Sequence, residues 1–317
     1  MSQATQLVTG AAGFIGQQTA LQLLERGDKV VGVDNMNDYY DVRLKRHRLE
    51  ALEAHPNFVF REMDIEDAAA VDALFDEFAF QTIFNLAARA GVRYSMENPH
   101  VYLSTNAEGT LNLLESMRKR GVKKFVLAST SSLYAGQEMP FTEDLPVNTP
   151  LSPYAASKKA AEVMAYSYHH LYGFDVSVVR YFTVFGPCGR PDMSIYRFIK
   201  WIDEGKPITL FGDGSQSRDF TCVEDVAAGT IAAAKEVGYE IINIGGGRNP
   251  ISLNTIIGWI EEALQKKATF DYKPFHVADM TETWADISKA ERLLGWTPKI
   301  DVREGLQRSV DWYLANK

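Results

Sequence analysis

A glycine-rich turn sets the strongest constraint on what this chain can fold into. GAAGFIG, Gly10 to Gly16, follows the β-branched run Gln6–Thr9 and opens the amphipathic pattern Phe14–Arg26. Between a strand and a helix, that spacing marks a dinucleotide site. Gly10 permits the tight turn, Gly13 lets the backbone approach a pyrophosphate, and Gly16 allows close helix–strand packing beneath the positive helix terminus. A second β-branched run, Lys29–Val33, ends at Asp34, whose carboxylate can accept from both adenosine ribose hydroxyls. The next residues, Asn35, Met36 and Asn37, offer no arginine to a 2′-phosphate, so NAD is expected rather than NADP.

The rest of the amino-terminal half repeats this rhythm. Phe58–Arg61, Thr82–Leu86, Lys124–Ala128 and Val176–Arg180 read as further strands separated by helical patterns, among them a long helix from Pro99 to Arg120 closed by Gly121. Such alternation predicts a Rossmann-type α/β fold, a doubly wound parallel sheet covered on both faces. After residue 185, Gly186, Pro187, Gly189 and Pro191 break the pattern, and a smaller α/β substrate-binding region is expected over 186–317 beside an NAD-binding region over 1–185. The strand Glu240–Ile244 and the helices Thr255–Lys266 and Val302–Leu314 suggest that the later chain is partly built back onto the main sheet. Asp64–Ile65 after the third strand could face the adenine, although Asp64 could equally cap a helix, and Leu86–Ala87–Ala88 could pass under the cofactor.

Charge and cysteine content narrow the function class. Against 33 basic side chains stand 41 acidic ones, a net charge of −8 that works against a nucleic-acid partner. The basic run Arg43 to Arg48 reads as one solvated helix face. Two cysteines, Cys188 and Cys222, and no His/Cys cluster at ligand spacing support neither a disulfide framework nor a metal site. With no signal-type leader and no apolar stretch approaching about 20 residues, a cytoplasmic protein without membrane contact is expected.

The reacting residues stand out in YAASK, which places Tyr154 and Lys158 one helical turn apart behind Ser152 and Pro153. A phenol is a poor base near its usual pKa of about 10, but a neighbouring ammonium and a positive nicotinamide ring favour phenolate. Tyr154 can then take a hydroxyl proton while Lys158 also holds the nicotinamide ribose. Upstream, ASTSSLYAG delivers Thr130, Ser131 and Ser132 to the carboxyl edge of the sheet, where open α/β folds bind ligands.

Together, GAAGFIG, the Asp34–Asn35 pair, the Ser129–Thr130 run, YAASK and RYFTVFGP at Arg180–Pro187 resemble the extended short-chain dehydrogenase/reductase family over essentially the whole chain. Within it, GVRYSMENP from Gly91, GRPDM at Gly189–Met193 and GDGSQSRDFTCVEDV from Gly212 most resemble the UDP-glucuronate 4-epimerases. The resemblance implies Thr130 or Ser131, Tyr154 and Lys158 as the catalytic set. It adds Phe14, Ile15, Asn106 and Tyr181 to the cofactor contacts, and Arg93, Ser132, Thr183, Met193, Phe211, Arg218 and Asp279 to those for a UDP-sugar. Arg190 becomes the candidate partner of a sugar carboxylate, which a guanidinium can match bidentately, or else a loop salt bridge with Asp192 or another acid. Where relatives usually read VYG, this chain reads Leu133–Tyr134–Ala135–Gly136, leaving open which of Thr130 and Ser131 meets the reacting hydroxyl.

The resemblance also implies the reaction. Related dehydratases carry an Asp-Glu pair directly after the threonine, and related decarboxylases a Glu; here Ser131 and Ser132 do not titrate near neutrality, so elimination lacks its acid and base. The expectation is an isomerase: a 4-epimerase that interconverts UDP-glucuronate and UDP-galacturonate through a 4-keto intermediate on tightly held NAD. The alternatives are a UDP-glucose/UDP-galactose 4-epimerase, a uronate decarboxylase, or an NAD-binding regulatory protein. A homodimer is expected from apolar residues beyond one sheet-facing stripe, notably Leu111, Leu113, Leu114, Met164 and Tyr168, although a helix fully buried within a monomer would read similarly.

Overall fold

The computed structural model describes residues 5–248, 250–275 and 280–317. Its centre is a seven-stranded sheet built from β1 (Thr5–Thr9), β2 (Lys29–Asp34), β3 (Phe58–Glu62), β4 (Thr82–Asn85), β5 (Lys124–Thr130), β6 (Asp175–Tyr181) and β7 (Tyr239–Ile244). The order is β7-β6-β5-β4-β1-β2-β3, and every neighbouring pair is parallel. The order reverses between β1 and β4, and ligands of open α/β sheets lie at such switch points.

Strand residues alternate between two cores, as a two-residue side-chain period demands. Leu7, Val31, Ile83, Phe125 and Val178 join one apolar cluster; their successors Val8, Phe84, Val126 and Val179, with Val30, join the other. Both faces are thus buried, which explains runs of apolar residues where a one-sided sheet would show alternation. β7 enters from the later part of the chain and pairs with β6 from Tyr239 to Ile244. A third cluster lies outside the sheet, where Phe198, Ile199 and Ile202 of one helix meet Ile256, Ile257 and Ile260 of a second and Leu306 and Val310 of a third.

Two sequence expectations change here. The basic run lies on α2 (Val42–Glu53), but it is not one solvated face: Lys45 and Arg48 are buried, only 4% and 1% exposed. Arg48 donates to the carbonyls of Ala12, Cys188 and Gly189 and to the Tyr40 hydroxyl, so it ties the glycine turn to the loop carrying Arg190. Local charge pattern gave no hint of these distant acceptors. The expected helix from Pro99 to Arg120 is also interrupted, by a wide π-turn at Ser104–Glu108. Such bulges re-aim side chains. Asn106 sits within it, and its amide accepts from the Arg89 N–H and donates to the Arg89 carbonyl and Ser157 Oγ.

No described helix is long and apolar enough to cross a membrane. Among the described residues, no cluster of His, Cys, Asp and Glu could hold a metal ion.

Candidate active site

Gly10 makes the tight turn that the sequence predicts. Gly10 has φ +69°, and a Cβ there would lie 2.9 Å from backbone atoms of Ala87. A Cβ on Gly16 would lie 2.0 Å from the Gly10 carbonyl, so this glycine seats the first helical turn on the loop rather than on a strand. Gly13 precedes α1 (Phe14–Glu25) without any side-chain cap, leaving the first N–H groups for another acceptor. Asp34, at the end of β2, accepts from the Ala12 and Met36 N–H groups at 3.2 and 2.9 Å and lies 3.4 Å from Lys45 Nζ. Asp64 caps no helix, that role falling to Asp67; it accepts from the Asn35 amide and the Glu66 N–H.

These groups open onto one cleft of about 770 Å³. Its walls include Gly10, Gly13, Phe14, Ile15, Gly16, Asp34, Asn35, Asp64, Ile65, Leu86, Ala87 and Ala88 at one end. At the other are Thr130, Ser131, Ser132, Tyr154, Lys158, Tyr181, Thr183, Arg93, Arg190, Met193, Phe211 and Arg218. Asn106 does not line the cleft: it is 1% exposed and braces the Arg89 backbone from behind. Asp279 lies outside the described residues. The glycine cradle, the open helix terminus and the carboxylate after β2 fit a dinucleotide.

Sequence reasoning missed several further walls: Tyr39, Tyr40, Lys45, Tyr102, Arg197 and Trp201. Lys45 hides in the charged run, and Arg197 lies on an amphipathic helix whose polar face reads as solvated. The pair Tyr39–Tyr40, just after the Asp34 turn, was the one visible signal.

The reacting groups meet at the carboxyl end of β5. Ser152 caps the helix Pro153–Tyr172 by accepting from the Ala155 N–H, which fixes the start of YAASK. The Thr130 side chain lies near enough to the Tyr154 phenol to lower its pKa, and its hydroxyl accepts from the Ser132 N–H as the chain enters a short 3-10 turn. This favours Thr130 over Ser131 as the partner of the phenol. Burial raises the Tyr154 pKa above its ordinary value, while Thr130 and the Arg190 charge oppose the rise. Lys158 is 4% exposed and donates to the Ala128 carbonyl at 2.9 Å. Burial lowers its pKa to about 8, with the Glu162 carboxylate pulling the other way. The Tyr102 ring stands edge-on to Tyr154, centroids 6.0 Å apart, and restricts where the phenol can swing.

Acids near the chemistry are few. Among the described residues the carboxylates lining the cleft are Asp34, Asp64, Glu97 and Asp192. The first two belong to the dinucleotide end, and Asp192 is paired with Arg190 at 2.6 Å.

The chain is similar to known proteins over nearly its whole length. The chain matches the GDP-mannose 4,6 dehydratase family over residues 7–309. It is 60% identical over 310 residues to a UDP-glucuronate 4-epimerase of Thermodesulfobacterium geofontis, covering 98% of this chain and 96% of the relative. Among solved structures, UDP-glucuronic acid 4-epimerase from Bacillus cereus in complex with UDP-glucuronic acid and NAD superposes with a TM-score of 0.93 at 36% identity, over 99% of this chain and 100% of that one. UDP-glucose 4-epimerase of Thermotoga maritima, bound to UDP-glucose, gives 0.89 at 32% identity, over 98% and 99%. The chain belongs to the GDP-mannose 4,6 dehydratase family, within the extended short-chain dehydrogenases/reductases to which the glycine turn and YAASK point.

Proposed function

We propose that this protein is an NAD-dependent isomerase that interconverts UDP-glucuronate and UDP-galacturonate by inversion at C4. The observation that carries this reading is the Thr130–Tyr154–Lys158 constellation with hydroxyls, not carboxylates, at positions 131 and 132. The 60% identity to a UDP-glucuronate 4-epimerase supports the uronate in particular.

NAD, held by the glycine turn and Asp34, would supply the hydride acceptor for C4 of the sugar and the donor for its return to the opposite face. Tyr154 removes the C4 hydroxyl proton and later gives it back, and Thr130 holds the phenol and the reacting oxygen in line. Lys158, as an ammonium, favours the phenolate through its charge. Ser131 and Ser132 offer hydrogen bonds without a titrating group, so the 4-keto sugar is not pushed toward loss of water. Arg93, Thr183, Met193, Phe211 and Arg218 hold the UDP-sugar, with Asp279 as a further contact, and Arg190 meets the sugar carboxylate.

That carboxylate carries a hazard. A 4-keto uronate is a β-keto acid, and when the C5–C6 bond aligns with the carbonyl π system its electron pair can flow into the carbonyl. Carbon dioxide then leaves, and an enolate remains that takes a proton at C5. Holding the carboxylate out of that alignment keeps the product an epimer.

A second copy of the chain is the expected partner. Leu113, Leu114 and Tyr168, which suggested this in the sequence, are buried within the subunit, with Leu111 and Met164 packed against them. The surface instead presents Leu103, Val163, Tyr166 and Leu171, each at least half exposed, along the same helices. Covering that apolar area fits a homodimer. The cytoplasm suits an enzyme with two free cysteines and a nucleotide-linked substrate.

The test is side-by-side turnover of UDP-glucuronate and UDP-glucose by one preparation. The reading expects kcat/KM for the uronate to exceed that for the hexose by at least about 100-fold, the scale of one desolvated charged contact of about 3 kcal/mol. Equal turnover, or preference for the hexose, contradicts it.

A further inference from the structure

Arg190 is held on two sides before any substrate arrives. Its Nε donates to Asp192 Oδ1 at 3.0 Å and its Nη2 to Asp192 Oδ2 at 2.6 Å. Nη2 also donates to the Ala90 carbonyl at 3.3 Å. The Asp192 carboxylate also acts on Tyr39, whose phenol pKa is raised by burial and by that carboxylate. The Tyr39 ring lies 5.9 Å from the guanidinium carbon and 5.2 Å from the Tyr94 ring.

A guanidinium has five N–H donors in one rigid plane. Among the described residues Asp192 and Ala90 take three of them, all on Nε and Nη2, and the two that remain are on Nη1. Asp192 fills the Nε/Nη2 edge and Ala90 takes the Nη2 donor of the Nη1/Nη2 edge, so neither bidentate edge is fully open to a carboxylate. Asp192 offsets the Arg190 charge, while Arg93 and Arg197 add positive charge to the same wall, so the corner attracts a carboxylate and Nη1 sets its direction.

We propose that Asp192 and Tyr39 are positioning residues for the uronate: they lock the plane of Arg190 so that Nη1 meets the C6 carboxylate in one orientation. The inference rests on the uronate reading and deepens it. An arginine held by one contact could follow the carboxylate as the sugar turns over between its two half-reactions. A clamped one cannot, and C6 stays out of line with the C4 carbonyl. Selectivity against decarboxylation then resides in the Tyr39–Asp192–Arg190 unit and not in Arg190 alone.

The experiment uses purified holoenzymes of the wild type, Arg190→Ala, Asp192→Asn and Tyr39→Phe with UDP-glucuronate, separating UDP-pentose from UDP-galacturonate. Asp192→Asn is expected to raise the pentose share of product and the KM for UDP-glucuronate by about tenfold each, the scale of one charge-assisted hydrogen bond. Tyr39→Phe is expected to shift both in the same direction by less. Wild-type partition and KM in Asp192→Asn overturn the proposal. So does a lowered KM, which would make Asp192 a competitor of the substrate carboxylate. A merely loosened loop would raise KM for UDP-glucose as much as for UDP-glucuronate and release no pentose, and that result also overturns it. If Arg190→Ala releases pentose and Asp192→Asn does not, only the clamp fails. If the wild type leaves UDP-glucuronate unconverted, the uronate reading fails first.

Discussion

Tyr154→Phe is expected to lower turnover of UDP-glucuronate by about 10²–10⁴-fold, the range that a positioned acid–base group contributes. The substitution removes one oxygen and leaves a ring of the same shape against Tyr102. NAD content and the affinity for UDP-glucuronate should therefore change little. The reason for so large an effect is local. Burial alone pushes the Tyr154 phenol up, away from the phenolate the reaction needs. Thr130 and the Arg190 charge act against burial, and a bound nicotinamide ring, being positive, would act in the same sense. Single-turnover rates checked beside NAD content separate this outcome from loss of binding. A Phe variant with wild-type turnover would show that the proton leaves by another route.

The second large effect is expected at a residue outside the cleft. Glu162 and Arg180 are 1% and 0% exposed and form a bidentate pair, Nε to Oε1 at 2.9 Å and Nη2 to Oε2 at 2.8 Å. Glu162 also accepts from Ser129 Oγ at 2.6 Å, while Arg180 donates to the Tyr134 hydroxyl, which bonds Asn243 on β7. One carboxylate thus ties the strand before Thr130 to the helix bearing Lys158 and to two further strands. Glu162→Gln leaves a buried guanidinium without its counter-ion and is expected to cost about 3–5 kcal/mol of stability, read as a fall in the urea midpoint.

The same change should also move a pH profile. Lys158 titrates at about 8 because burial lowers it, and the Glu162 charge is what opposes a further fall. Without that charge, Lys158 gives up its proton at lower pH. The ammonium proposed to favour the Tyr154 phenolate is present below this pKa and lost above it, so the alkaline limb of kcat should shift downward in Glu162→Gln. An unmoved limb with a lowered midpoint would confine Glu162 to a structural role.

How much of this was legible in the sequence depends on how far apart the cooperating residues lie. The glycine turn, Asp34 and YAASK are local: each joins a motif to the element that presents it within about two turns or one strand, and the structure reproduces their geometry. The return of β7 to the sheet was legible for a similar reason, since a β-branched run after a helical one has few other places to pair. Arg48 was not, because its acceptors Ala12 and Cys188 are separated from it by 36 and 140 residues. A charged run on a helix looks solvated until the acceptors are known. Asn106 was assigned to the cofactor although it serves the backbone behind it, since the π-turn that aims it has no periodic signature. Arg190 was identified, with Asp192 as its alternative partner, but the sequence could not say that both readings belong to one device.

The most direct test of the account is to incubate the purified protein, with no NAD added, with UDP-glucuronate in deuterium oxide and analyse the sugars by mass and NMR. The account predicts UDP-galacturonate as the product, free of pentose and without deuterium at C4, because the hydrogen that leaves C4 is the one that returns. Deuterium at C4, or pentose as the main product, would contradict it.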